Sequence, residues 1–335
     1  MGLTDFRPLM RVEVDGADIT GILSPRLASL NLTDAAGVQS DQVQIVLSDT
    51  GLFDRIKEPR QGAEIKVWLG HAFNLKYMGL FIADAFELQG RPDTMVITGS
   101  ASVNGTTISG KTALTDQKKR SWPQGTTVAA MVGKIAGEHG LQALVAERLG
   151  KIALPHIDQI DESDMNLLSR VARDLDAIAK PGNGRLIMAR RGESVTASGK
   201  PMPVISVTER GVSRWGYRNS LREKVGSVVA AYQDLAQGSQ QECTAGEGVP
   251  VQRLKRRFPD KATAQRAADT ELRRLRRAGR SFSIDVKGDP DAKAEAVLRA
   301  AGFRSYVDGP WLITRATHSL DSGGYWTAVE AEPLE

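Results

Sequence analysis

The chain has 335 residues, 41% hydrophobic and 25% charged, a globular composition with room for two or three domains. Its one cysteine, Cys243, excludes an internal disulfide, and a net charge of +4 is too small by itself to define a nucleic-acid binder. No apolar run approaches the roughly 20 residues that span a bilayer, and Met1-Gly2-Leu3-Thr4-Asp5 lacks the basic start and apolar core of a signal peptide, so the expectation is a protein that stays in the cell or leaves it within a particle.

The first segment, 1–104, reads as β structure. Val43, Ile45 and Leu47 alternate with Gln42, Gln44 and Val46. Ile65, Val67 and Leu69 alternate with Glu64, Lys66 and Trp68, and Met95, Ile97 and Gly99 continue the habit. A period of two puts one face in a core and the other outside. Turn signals at Asp15-Gly16, Asp49-Thr50-Gly51 and Gly90-Arg91-Pro92-Asp93 divide the runs. The last of them predicts a hairpin between 81–88 and 95–100. Short strands at this spacing predict a small barrel or sandwich.

The pattern changes near residue 105. Between Thr126 and His139, Val128, Met131, Val132 and Ile135 fall at helical spacing, with Gly140 as a stop. A second helix starts at Ser163, a good N-cap, and buries Leu168, Val171 and Leu175. Pro181-Gly182-Asn183-Gly184 then turns a hairpin between 177–180 and 185–190. The segment 105–202 is therefore read as a compact α+β unit.

From 203 to 335 the β pattern returns. Val204, Val207, Val212 and the run 225–232 are strand candidates, and Phe282, Ile284 and Val286 alternate with Ser281, Ser283 and Asp285. The runs 311–317 and 325–332 flank Asp321-Ser322-Gly323-Gly324 as a closing hairpin. One basic helix interrupts them from about Asp260 to Ala278, with Ala264, Ala268, Leu272 and Leu275 on its apolar face and Gly279 at its end. The Ala-rich run 289–301 reads as a further helical turn or two. No internal repeat is visible in the letters.

Four features invite a chemical reading. The run 105–112, Gly105-Thr106-Thr107-Ile108-Ser109-Gly110-Lys111-Thr112, matches the phosphate-cradling P-loop, in which the lysine reaches phosphate and the hydroxyl holds magnesium. Its surroundings do not match: the next segment is short and polar, Pro123 ends it, and alternating βα units are absent. The stretch 253–280 gathers Arg253, Lys255, Arg256, Arg257, Lys261, Arg266, Arg273, Arg274, Arg276, Arg277 and Arg280. It reads as a solvated or partner-facing surface, with acidic subunit contacts next. Phe258 is the only aromatic among these charges, so base stacking is unsupported. His71, His139, His156 and His318 lack ligand spacing, so no metal site is expected. Asp161, Glu162 and Asp164 stand at the start of the second helix, where the dipole favours negative charge.

Several stretches resemble, in order, the late control D family of phage tail hub proteins, found in R-type pyocins and in Mu-like and P2-like phages. Ser121-Trp122, Gly125-Thr126-Thr127 and His139-Gly140-Leu141 look like its middle segment, as does the run from Ile160 to Arg170, which is also similar to the hub part of VgrG spike proteins. Arg256-Arg257-Phe258 with 264–275 resembles its basic helix, and the run from Trp311 to His318 with Gly323-Gly324-Tyr325 its closing hairpin. The resemblance implies a mainly β, α+β fold of two tube-type β-barrel domains, 1–104 and 203–335, with the α+β domain 105–202 inserted between them. It implies a homotrimeric baseplate hub of a contractile tail, assembled in the bacterial host cytoplasm into a virion or tail-like particle. Its partners would be the central spike, the tail tube and other baseplate proteins. No catalytic, cofactor-binding or metal-binding residue is expected, and the rival classes are a nucleotide-binding protein using Lys111 and Thr112 or a nucleic-acid-binding module using 253–280.

Overall fold

The computed structural model describes residues 8–334 apart from 38–40, 52–53, 73, 102–113, 183, 193–200, 221–224 and 235–236. The P-loop-like run 105–112 lies outside the described residues.

The alternating runs of the first segment become β1 (Pro8–Val14), β2 (Ala17–Asp18), a short helix α1 (Thr20–Leu23), β3 (Leu27–Ala35), β4 (Gln42–Ser48), β5 (Glu64–His71), β6 (Asn74–Gln89) and β7 (Thr94–Ala101). The hairpin expected at Gly90 is β6–β7, with Leu88 opposite Met95. The inward residues of this period-two pattern, including Leu30, Leu32, Val43, Ile45, Ile65, Val67, Leu69 and Phe81, form one core.

The middle segment runs β8 (Gln117–Trp122), α2 (Val128–Glu138), β9 (Gln142–Val145), α3 (Glu147–Gly150), β10 (Ile157–Ser163), α4 (Asp164–Asp174), β11 (Ala177–Gly182) and β12 (Arg185–Arg190). Both expected helices are present. Thr127 Oγ1 caps α2 by accepting from Ala130 N, and Ser163 caps α4 by accepting from Asn166 N, each at 3.2 Å. Met131, Ile135, Leu167, Leu168 and Leu186 centre a second core.

The last segment holds β13 (Val204–Thr208), β14 (Arg214–Asn219), β15 (Ser227–Asp234), β16 (Ser239–Gly246), β17 (Val251–Phe258), α5 (Lys261–Ala278), β18 (Arg280–Lys287), β19 (Val297–Ala301), β20 (Gly309–Asp321) and β21 (Gly324–Pro333). Helix α5 starts at the N-cap Asp260, whose carboxylate accepts from Thr263 N at 2.8 Å. Two expectations change here. Residues 225–278 do not join the surrounding sheet: β16, β15 and β17 make their own three-stranded sheet, packed on α5 around Val228, Ala230, Phe258, Ala264, Ala268 and Leu272. The Ala-rich run is not helical either. Ala292, Ala294, Ala296, Leu298 and Ala300 are all buried, a period of two that leads into β19. Packing against Phe282, Trp311 and Ile313 in the third core overrides the helix preference of alanine.

The first and last segments share one sheet of thirteen strands among the described residues. They meet where β20 pairs antiparallel with β3, from Arg315 opposite Ala35 to Asp321 opposite Ser29. The two halves also repeat one another. In the first, β3 pairs β4, β4 pairs β7, β7 pairs β6, β6 pairs β5 and β5 pairs β1. In the last, β14, β18, β21, β20, β19 and β13 pair in that same order. One joint departs: β1 runs antiparallel to β5, whereas β13 runs parallel to β19.

The match extends to single residues. A bulge between Ala83 and Ala85 in β6 has its counterpart between Ile313 and Arg315 in β20. Ala83 bonds Ala63 and Gly62 through its N–H and carbonyl, both at 2.9 Å; Ile313 bonds Ala296 and Glu295 in the same way, at 2.9 and 2.8 Å. Gly62 has φ +75° and its equivalent Glu295 φ +67°, so the last half sets a glutamate in a left-handed position that glycine fills in the first.

The strand joint buries His318 completely. Its Nε2 donates to the Ala292 carbonyl at 3.0 Å, and Nδ1 accepts from the Tyr325 hydroxyl at 2.8 Å. Burial pulls the imidazole down to about 4, against the opposing pull of Asp34. The unfolded chain, with histidine near its ordinary 6.5, therefore takes up the proton first. This contribution to stability is complete above pH 6.5 and is lost as pH falls toward 4. Between pH 7 and 4.5 the wild type should lose about 2 to 3 kcal/mol more unfolding free energy than His318→Gln. Urea unfolding of both proteins at the two pH values checks this, and parallel losses would refute it.

Candidate functional site

Three ion-pair clusters join the segments to one another or fix the middle unit. The first sits at the N-terminus of α4. Asp164 opens the helix as the dipole argument requires, but its side chain is fully buried (0% exposed). It accepts from Lys118 Nζ at 2.6 Å, from Gln159 Nε2 at 2.9 Å and from the Arg120 guanidinium, and His139 Nε2 lies 2.8 Å away. Burial would raise this carboxyl, but the bonds from Lys118, Gln159 and His139 and the charge of Arg120 hold it down at about 2. Glu138 completes the network by accepting from Arg120 at 2.6 and 2.7 Å and from Lys118 at 2.9 Å.

Glu138, His139 and Asp164 bring metal-ligand atoms within 4.8 Å of one another. Two cations already neutralise the two carboxylates there, so the donor set is an ion-pair network that a metal would have to displace. The other two acids named from the sequence lie outside it: Glu162 pairs with Arg170 at 2.7 Å and Asp161 with Lys119 at 3.3 Å.

The second cluster ties three segments at Asp34 on β3. Lys180 of β11 donates to Asp34 and to Asp41, both at 2.7 Å, and the Ala294 N–H donates to the other Asp34 oxygen at 3.2 Å. Burial and the neighbouring Asp34 carboxylate push the Asp41 carboxyl well above the usual range, against Lys180.

The third cluster uses the basic stretch. Arg256 donates to Asp174 at 2.6 Å, and Arg273 and Arg277 donate to Asp176 at 3.3 and 3.1 Å. Arg277 also lies 3.3 Å from Glu332, which Arg191 meets at 3.0 Å. Burial alone would raise Asp176, but Arg277 and Arg273 hold it below the usual range. The 253–280 surface is thus divided. Arg253, Arg256, Arg273, Arg274 and Arg277 turn toward acids of the same chain, and Lys255, Arg257, Lys261, Arg276 and Arg280 are exposed. Lone sequence positions gave no signal for this, because Asp174 lies 82 residues from Arg256 and Asp176 lies 101 residues from Arg277.

His71 and His318 pack on the same Tyr325 ring, with centroids 5.6 and 6.0 Å away. His71 Nε2 lies 2.8 Å from the Gly288 carbonyl, His156 lies 3.0 Å from Asp158, and His139 and His318 belong to the separate environments above. The structure brings no two of the four into one ligand set among the described residues.

The chain is mainly β, and its large sheet is built from two halves of like strand order. The sequence profile of the phage tail baseplate hub family matches residues 84–324, and the chain belongs to that family. The probable baseplate hub proteins of Escherichia phages 186 and P2 are each 31% identical to it, over 98% and 95% of this chain and 94% and 91% of their own length. A tail protein of Neisseria meningitidis MC58, 13% identical, shares the fold over 98% of this chain and 97% of its own, with a TM-score of 0.72.

Removing the Asp164 charge leaves Lys118 and Arg120 with a single carboxylate in a mostly buried setting. Asp164→Asn should lower the unfolding free energy by about 3 kcal/mol. The exposed Asp161→Asn should change it by less than about 0.5 kcal/mol. Urea titration of both variants measures the difference, and equal effects would show that the network is not structural.

Proposed function

We propose that this chain forms the homotrimeric hub ring of a contractile-tail baseplate, joins the sixfold tail tube to the threefold central spike and helps nucleate the baseplate. The observation that carries this reading is the repeated strand order in the two halves of the sheet. Three copies of a chain with two alike units present six similar surfaces around an axis that remains threefold. Such a ring can meet partners of both symmetries.

In this reading each half of the sheet curls around its own core as a tube-type barrel, 1–104 and 203–335, and 105–202 is the inserted α+β domain. The unit at 225–278, with the basic helix, projects from the second barrel between β14 and β18. The partners are the spike, the tube and neighbouring baseplate proteins, and the place of work is the baseplate of a virion or tail-like particle assembled in the host cytoplasm. The work is mechanical, and no residue is assigned a catalytic role. Among the described residues no helix is long and apolar enough to cross a membrane.

Light scattering of the purified chain, alone and co-expressed with its tail's spike protein, tests the reading. The expected particle has three times the 36.2 kDa chain mass, alone or in a three-to-three complex. A strict monomer that also ignores the spike would sink it. Magnesium-dependent nucleotide binding lost in Lys111→Ala, or steeply salt-dependent nucleic-acid binding through 253–280, would then take its place.

A further inference from the structure

The arginines near the end of α5 face two ways. Arg273 and Arg277, one helical turn apart, share the face that meets Asp176. Arg276 stands about 100° round the helix from Arg277 and is exposed. Arg280 follows the helix end at Gly279 and lies opposite Asn219 in the β14–β18 pair. Among the described residues, neither Arg276 nor Arg280 is in an ion pair. Both line one open cleft of about 720 Å³, together with Tyr217, Asn219, Tyr306 and Asp308. The cleft lies where the 225–278 unit meets the sheet at β14.

The wall facing the arginines is held by its own bonds. Between β19 and β20, the Arg304 carbonyl accepts from Val307 N and Asp308 N, both at 2.8 Å, and Asp308 Oδ1 accepts from Phe303 N at 2.9 Å. Trp311 Nε1 donates to the Val307 carbonyl at 2.8 Å. This turn packs Phe303 edge-on against Trp215 and Phe282. It leaves Tyr306 64% exposed, with its ring 5.4 Å from that of Tyr217. Tyrosine and arginine are enriched where interfaces bind most strongly, and a tyrosine held in place offers a large flat contact at little cost in entropy.

We propose that this cleft binds an acidic segment of a partner protein, with carboxylates on Arg276 and Arg280 and an apolar or aromatic side chain against Tyr306. The site lies within one chain and does not depend on the trimeric reading. Charge complementarity sets the occupant. Guanidinium groups take carboxylates in two parallel hydrogen bonds, and Arg253, Arg256, Arg273, Arg274 and Arg277 already meet carboxylates of their own chain. A peptide can place its acids opposite two arginines and keep them clear of Asp308. A nucleic-acid backbone carries a charge at every step and would bring phosphates against that carboxylate. The bland alternative is that the two arginines only keep the surface hydrated and Tyr306 is a stray exposed ring. It predicts a weak attraction for acids that any exposed arginine of the stretch shares.

Fluorescence anisotropy on the full chain, with a labelled peptide of alternating glutamate and tyrosine as the probe, tests the proposal. The wild type should bind the peptide. Arg276→Glu and Arg280→Glu should each weaken binding at least about tenfold, and Tyr306→Ala at least about fivefold. Arg257→Glu, exposed on the same stretch but outside the cleft, should change it less than about twofold. The arginine side chains are exposed, so these variants should unfold in urea at the same midpoint as the wild type. A wild type that ignores the peptide, or an equal loss in Arg257→Glu, would overturn the site. So would an oligonucleotide of equal charge that binds more tightly, with a steep salt dependence, and it would make nucleic acid the occupant. Self-association lost in Arg276→Glu would overturn it in favour of a second copy. A monomeric wild type that binds the peptide as expected would remove the ring and leave the site standing.

Discussion

The pairing of β20 with β3 is the interaction on which the rest of the molecule depends. It runs from Arg315 to Asp321 along an edge that β19 has already begun, so a single strand fixes the neighbouring half of the chain in register. Side chains alternate across a strand, and a slip of one residue would turn Leu30, Leu32 and His318 out of the buried face. Hydrogen bonds alone would not prevent that slip, because a shifted ladder has nearly as many. The buried side chains do: Leu30 and Leu32 reach the core only when they lie opposite Leu320 and His318.

Charge then fastens what the sheet cannot reach. The middle unit shares no strand with the thirteen-stranded sheet, and ion pairs hold it on two sides. Lys180 engages Asp34 and Asp41 on one, and Asp176 engages Arg273 and Arg277 on the other. Buried pairs of this kind add little net stability once desolvation is counted, but a displaced partner leaves an uncompensated charge. They therefore select one orientation of the unit. The arginines spent this way give part of the basic stretch a structural role, and Lys255, Arg257, Lys261, Arg276 and Arg280 remain exposed.

What could be read from the sequence was what depends on near neighbours in the chain. Val43, Ile45 and Leu47 declare a strand by period alone, and Ser163 and Asp260 declare helix starts through capping chemistry that acts within three residues. What could not be read depends on distant partners. Ala292 to Ala300 looks helical because alanine favours helices, and only Phe282, Trp311 and Ile313 make its alternation visible. Asp164 looks like a dipole-compensating acid until Lys118 and Arg120, 46 and 44 residues earlier, bury it. The separate core of 225–278 was hidden because its strands carry the same local pattern as those of the main sheet. The repeat was hidden because it keeps place more than identity: Val43 and Leu47 answer to Phe282 and Val286, and Leu30 and Leu32 to Trp215 and Tyr217.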